Sequence, residues 1–202
     1  MSLVIHPTYF PNILFFSKIL NHNRIFFEIN DNYIKQSLRN RTLIYHANGV
    51  LKLSVPVKYS SKKNRKFKDI EICNDTNWQK KHFKSIKFAY QSSPYFEFYE
   101  NSFEKIFKKK EKFLLDINLK SIALLFELID RKLEYTFTEK YYEIYNGYTN
   151  SREISNFNFS DKSLSFKKYT QVFETKYGFK ENLSMLDLLF NYGPNYYNFL
   201  VK

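Results

Sequence analysis

Five groups of residues combine side-chain types and spacings that can do chemistry. His6 stands in His6-Pro7-Thr8-Tyr9-Phe10-Pro11, directly after the apolar run Leu3-Val4-Ile5. An imidazole there can serve as acid, base or phosphate donor beside a nucleotide or sugar. The two prolines fix two φ angles and push their predecessors to extended geometry, so His6, Thr8 and Tyr9 sit on a stiff loop. A histidine packed between strand and proline is the competing reading. Lys35, Arg39, Asn40 and Arg41 form the second group. Guanidinium and ammonium groups near a strand end can clamp phosphate or carboxylate, although a solvated basic loop would look the same. Arg41 is the strongest of the four, because Leu43-Ile44 draws its backbone toward a core. Trp78, Lys81 and His82 fall within about one helical turn, and Trp78 and His82 share a face. That pair suits a sugar or a base, and equally suits a core. Tyr95, in the corner Tyr90 to Phe96, can wall a pocket or simply pack. Ser184, Asp187 and Asn191 share a face by spacing, with Ser184 reading as an N-cap and Asp187 as its capping-box partner.

The elements around these residues follow from periodicity. Leu3 to Ile5 and Arg24 to Ile29 read as apolar strands of a parallel sheet, with a helix capped by Asn12 between them. In open α/β sheets ligands bind outside the carboxyl ends of the strands, which places His6 and Tyr9 at a site. Residues 42–57 read as a hairpin turning at Asn48-Gly49 with a type I′ turn. Phe67 to Cys73 reads as a strand, with Cys73 as a small buried hydrophobe. Three helices follow, over 78–91, 95–110 and 113–133, with Asn74-Asp75-Thr76 capping the first. Glu134 to Thr138 reads as a strand. The stretch 138–166 has weak periodicity and reads as a surface excursion within one domain, 1–202. The expected fold is α/β: a mainly parallel central sheet with flanking helices, an antiparallel hairpin and a helix-rich second half.

Composition narrows the function. The chain has 202 residues and a formal charge of +12, which invites a nucleic-acid reading. Lys, Asn, Ile, Phe and Tyr are enriched together, as AT-rich codons produce, so the charge need not signal a partner. No aromatic-and-basic recognition motif of the RNP type supports nucleic acid. One cysteine excludes an internal disulfide and a Cys-based zinc site. No signal pattern and no apolar run of about 20 residues is present, so the protein is expected to be cytoplasmic. No P-loop, G-x-G-x-x-G, G-x-S-x-G or metal-ligand cluster appears, so an enzyme here does not use those fingerprints.

Taken in order, several stretches resemble the WbqC-like family. They are His6-Pro7-x-Tyr9-Phe10-Pro11, Asn40-Arg41, the Val55-Pro56-Val57 close of the hairpin, Trp78-Gln79-Lys80-Lys81-His82, the Ala89-Tyr90…Pro94-Tyr95-Phe96 corner, and Asn182 to Pro194. The resemblance implies surface-polysaccharide (O-antigen) or amino-sugar biosynthesis. The opening strand, proline-rich loop, helix and second strand also resemble the start of HIGH-type nucleotidyltransferases, a group that includes an amide-forming ligase, pantothenate synthetase. The loop here lacks that group's glycine and second histidine. Together these imply acyl, aminoacyl or nucleotidyl transfer by a transferase or amide-forming ligase. ATP or a nucleotide sugar would be the cofactor, and an activated or amino sugar the small-molecule substrate. His6, Arg41 and His82 would be catalytic. Tyr9, Lys35, Asn40, Trp78, Lys81 and Tyr95 would bind ligand, with no metal. The four residues His6, Tyr9, Arg41 and His82 are expected to face one pocket. The alternative is a non-enzymatic nucleic-acid or envelope-assembly binding protein that uses the basic loop 58–68.

Overall fold

The computed structural model describes residues 1–159, 161 and 163–200. Its centre is a four-stranded parallel sheet. β1 (Ser2–Ile5) pairs with β2 (Arg24–Phe27), aligning Ser2 with Arg24 and Ile5 with Phe27. Leu3, Val4 and Ile5 are all fully buried. An unbroken apolar run without alternation suits a strand covered on both faces. Helix α1 (Ile13–Leu20) connects the two strands. Asn12 caps it, its side-chain oxygen accepting the Phe15 N–H at 3.0 Å. β2 stops two residues earlier than its apolar run, because Glu28 turns inward. One Glu28 carboxylate oxygen accepts the N–H groups of Asn30 (2.6 Å) and Asp31 (3.1 Å) and so shapes the next turn.

The hairpin is separate from the sheet. β3 (Arg41–His46) pairs antiparallel with β4 (Gly49–Ser54), a shorter span than 42–57. Its turn is not type I′. Pairing closes on His46 and Gly49, so Ala47 and Asn48 are the central residues. Neither has positive φ, and Gly49 takes the left-handed position at +96° just after the turn. Phe67 to Cys73 is not a strand. Phe67–Asp69 forms a 3₁₀ turn, and only isolated bridges follow. The buried residues Phe67 and Ile70 are three apart, a helical rather than a strand spacing. Cys73 is half-buried, its thiol 3.3 Å from an Asp75 carboxylate oxygen, so it is not a core hydrophobe.

Helices α2 (Trp78–Tyr90), α3 (Phe96–Lys108) and α4 (Leu114–Leu128) follow. Asn77 occupies the N-cap of α2 without a side-chain bond. Asn74 instead accepts from the Trp78 and Gln79 side chains, at 3.3 and 2.9 Å. The left-handed Asp130 (φ +52°) lies two residues past the end of α4, which stops short of Leu133. β5 (Tyr135–Phe137) pairs with β2 and β6 (Tyr148–Asn150) with β1, giving the order β5-β2-β1-β6, parallel throughout. The segment read as an excursion near 138–166 therefore supplies a sheet strand, and Ile154 and Ser155 just after it are buried. Residues 160 and 162 of that segment, and 201–202 of the domain, lie outside the described residues. After residue 162 come α5 (Glu174–Tyr177), α6 (Met185–Tyr192) and a 3₁₀ turn, Gly193–Phe199.

Aromatic rings fill the helical half. Phe190 of α6 lies 5.0–5.1 Å, centroid to centroid, from Tyr90, Phe96 and Phe103. Such pairs add about 0.5–1.5 kcal/mol each beyond area burial. Where α6 ends, Gly193 has φ +50°, and a β-carbon on it would stand 2.5 Å from the Tyr95 ring. Gly193→Ala must displace that ring and adopt a strained backbone. It is expected to cost about 2 kcal/mol or more, lowering the melting temperature by about 4–8 °C. An unchanged melting temperature would mean that Tyr95 moves freely.

Candidate functional site

The loop 6–11 leaves the carboxyl end of β1 and is pinned from several sides. The Tyr9 N–H donates to the Leu38 carbonyl at 3.1 Å, and the Phe10 N–H to the Ser121 hydroxyl at 3.0 Å. The Phe10 carbonyl accepts from the hydroxyls of Thr42 (2.7 Å) and Ser184 (2.9 Å). Phe10 itself has φ +37°, a costly conformation for a bulky residue. Its fully buried ring packs on Phe103 and Phe107, which helps fix that conformation. The start of α6 is joined to the same loop. The Ile13 N–H donates to the Leu183 carbonyl at 3.0 Å, and the Met185 N–H to the Pro11 carbonyl at 2.8 Å.

A partly enclosed cavity of about 190 Å³ opens between this loop, the start of β3 and the segment after Ile154. Thr8, Tyr9, Phe10, Asn12, Arg41, Thr42, Phe157, Phe159 and Asn182 are among its walls. An open groove of about 540 Å³ adjoins it, lined by Lys35, Lys52 and Asn158 among others. Cavity and groove share Arg41, Asn156 and Phe157. The Arg41 guanidinium lies 5.5 Å from the Phe157 ring and donates to the Gln36 carbonyl at 3.2 Å. Its Nε is buried and has no partner among the described residues. A buried donor without an acceptor in the wall of a cavity is what a bound anion would satisfy.

His6 sits behind this wall rather than in it. Its Nδ1 lies 2.9 Å from the Ser155 hydroxyl and 3.1 Å from the Arg152 carbonyl, and its Nε2 3.0 Å from an Asp31 carboxylate oxygen. Ser155 lies between Ile154 and Asn156, which both line the cavity. Burial lowers the His6 pKa, outweighing the Asp31 hydrogen bond, so the ring is neutral at neutral pH. Burial works to raise the Asp31 carboxyl, but the hydrogen bond from His6 and the His6 and Arg39 charges bring it below its ordinary value. The Ser155 hydroxyl also lies 2.8 Å from the Arg152 carbonyl. It can donate to Nδ1 when the ring is neutral and to that carbonyl when the ring is protonated. The surroundings can thus hold either protonation state of the ring.

Two further buried charges organise these strand ends. Glu28 is fully buried. Besides its two backbone bonds it accepts from the Thr138 hydroxyl at 3.0 Å and from the Tyr145 hydroxyl. It thereby joins the ends of β2 and β5 to the loop before β6. Arg39 is fully buried beside the stacked Tyr33 and Phe67 rings, its guanidinium 5.7 and 5.5 Å from their centres, and donates to the Asn32 carbonyl at 3.0 Å. Burial lowers its pKa, and the charges of Asp31, Tyr33 and Glu28 oppose that shift. Its Nη2 has no partner among the described residues.

The other sequence-predicted residues divide. Tyr9 and Arg41 line the cavity, and Lys35 and Arg41 the groove. The Tyr9 hydroxyl also meets His82 Nδ1 at 2.9 Å. His82 and Trp78 are buried behind Tyr9, and burial pushes the His82 pKa down to about 4, so its ring is neutral. Neither lines the cavity, so His6, Tyr9, Arg41 and His82 do not share one pocket. Asn40 is buried and donates to the Val55 carbonyl at 3.1 Å, tying down the hairpin. Lys81 is exposed on α2, away from cavity and groove. Tyr95 packs on Gly193 and donates its N–H to the Phe190 carbonyl at 3.0 Å. Lys52, Phe157, Phe159, Ser155, Asp31 and Glu28 were not among the predicted site residues. Glu28 carried a signal, a lone carboxylate closing an apolar strand. Phe157 and Phe159 carried none, being aromatics in a stretch without periodicity.

The sequence profile of the WbqC-like protein family matches residues 6–155, three quarters of the chain. The chain belongs to the WbqC-like family. No curated protein and no solved structure matched it. In this member of the family the matched stretch contains His6, Asp31, Arg39, Arg41 and Ser155. The ending Asn182 to Pro194, which also carries the resemblance, lies beyond it. Among the described residues no helix is long and apolar enough to cross a membrane, and no three His, Cys, Asp or Glu side chains are grouped to share a metal ion.

Proposed function

We propose that the protein is an enzyme of surface-polysaccharide or amino-sugar biosynthesis that transfers an acyl, aminoacyl or nucleotidyl group on an activated or amino sugar. The observation that carries this reading is the unpartnered Arg41 donor in the wall of a cavity at the carboxyl end of β1. Membership of the WbqC-like family points loosely the same way. In each of these transfers a sugar amine or hydroxyl attacks a carbonyl or phosphoryl centre. The new bond forms to that centre, the bond to its leaving group breaks, and the nucleophile's proton departs. Arg41 stabilises the charge that builds on the transferring or leaving group. His6, hydrogen-bonded to Ser155 just behind the wall, takes up the departing proton. Tyr9 shapes the wall, and the buried His82 fixes its hydroxyl. Lys35 adds positive charge at the approach.

A melting screen with ATP, sugar phosphates, amino sugars and nucleotide sugars tests this reading. A ligand at about 100 Kd adds about 2.7 kcal/mol, or about 5–10 °C for a chain of this size. No shift with any of them, in a folded sample, would overturn it. The second reading, a non-enzymatic nucleic-acid or envelope-assembly binder, is favoured by one observation. Lys62, Lys63 and Arg65 line a groove of about 380 Å³ with the exposed Tyr59. It requires nucleic-acid binding that falls steeply with salt.

A further inference from the structure

We infer that the ligand of this site is a nucleoside diphosphate-linked sugar, laid along one basic trough with its sugar in the cavity. The inference rests on the reading of the cavity as a sugar site and names the substrate class. The first argument is size. The cavity, at about 190 Å³, falls below the ~300 Å³ that begins the range for drug-sized ligands. It takes one ring, and its walls suit a sugar: Phe157 and Phe159 offer apolar faces, and Thr8, Asn12, Thr42 and Asn182 offer polar groups.

The second argument is continuity. Cavity and open groove share Arg41 and Phe157, and that groove shares Lys35 with the groove of loop 58–65. The three form one trough running away from the cavity. The third is charge. Among the described residues no carboxylate lines either groove, and Glu181 lines the cavity. Arg41 and Lys52 stand over the same Phe157 ring, at 5.5 and 5.4 Å, and neither has a carboxylate within 4.0 Å among the described residues. Two like charges on one ring, one of them with a buried unpartnered donor, make a seat for a multiply charged anion. They stand where the cavity opens, so the anion is attached to the ring inside. The fourth is the far end. Tyr59 is 87% exposed, with the Lys35 ammonium 5.8 Å from its ring centre. An exposed aromatic beside a cation suits a base stacked beyond a diphosphate. Sugar, diphosphate and nucleoside therefore follow the order cavity, Arg41 with Lys52, then Tyr59.

Calorimetric titration of the full chain tests this with UDP-N-acetylglucosamine, UDP-glucose, GDP-mannose and dTDP-glucose. Inorganic diphosphate and the corresponding sugar 1-phosphates are the controls. At least one nucleoside diphosphate sugar is expected to bind one site, about tenfold or more tighter than either control. Lys52→Ala should weaken both that ligand and diphosphate. Tyr59→Ala should weaken the nucleotide sugar about tenfold, the scale of one lost base stack, and leave diphosphate unchanged. Sugar 1-phosphates binding as tightly as nucleotide sugars would overturn the inference and leave the proposed function standing, as would an insensitive Tyr59→Ala. Binding of a single-stranded RNA that Lys52→Ala abolishes, with no nucleotide sugar bound, would overturn the inference and favour the nucleic-acid reading. If none of these ligands binds, and ATP and amino sugars also fail to shift the melting temperature, both fall.

Discussion

Asp187→Ala is expected to destabilise the protein by about 3 kcal/mol or more. Asp187 is fully buried in α6. It was expected to cap its own helix, and its carboxylate instead accepts from Tyr90 (2.9 Å), Tyr169 (2.7 Å) and Gln171 (3.0 Å). The Tyr90 hydroxyl in turn accepts the Tyr45 N–H at 3.0 Å, so one carboxylate ties α2, α6, the hairpin and the chain near 170 together. Removing it strands three buried donors, each costing about 1–3 kcal/mol. The same group gives a pH dependence. Burial raises the Asp187 pKa to about 6, outweighing the three hydrogen bonds that lower it. The folded state therefore binds this proton more tightly than the unfolded chain does. The contribution is fully present below the unfolded value, near pH 4, and is lost as pH rises through about 6. Its size is roughly 3 kcal/mol. Urea melts from pH 4 to 8 should show this slope in the native chain and not in Asp187→Asn. A parallel slope in both would mean that Asp187 is already ionised in the folded protein.

Arg41→Ala is expected to lower affinity for the anionic ligand by tenfold to a hundredfold, since charge-assisted hydrogen bonds contribute about 1.5–3 kcal/mol. The melting temperature of the unliganded protein should change little. The side chain is only half-buried, and its one hydrogen bond among the described residues goes to the Gln36 carbonyl. His6→Ala behaves differently. It empties a buried space, His6 being 3% exposed, and removes the partner of an Asp31 carboxylate oxygen, so it lowers stability as well as activity. Loss of binding with an unchanged melting temperature is the signature of Arg41. An Arg41→Ala variant that binds normally would remove it from the site.

The N-terminal half was legible because its signals are local. An unbroken apolar strand, two prolines and an asparagine cap each act on their own neighbours, and β1, the stiff loop and α1 followed from them. Arg41 was legible for the same reason, through the apolar residues after it. His82 and Trp78 were correctly placed on one helical face, but spacing along a helix does not say what that face meets. Here it meets the back of Tyr9. What escaped was non-local. β6 is three residues long and exists because β1 has a free edge to pair with. Phe157 and Phe159 reach the cavity only because that strand carries the chain back across the sheet. Phe67 to Cys73 misled because apolar residues spaced by three and then two fit two periods.

A crystal structure of the protein with the ligand that gives the largest melting shift tests the central claim most directly. The expected result is a sugar ring between the loop Thr8 to Asn12 and the Phe157 and Phe159 rings, with its anionic group bonded to Arg41. A ligand held elsewhere on the surface, with the cavity beside Arg41 left without it, would contradict the account.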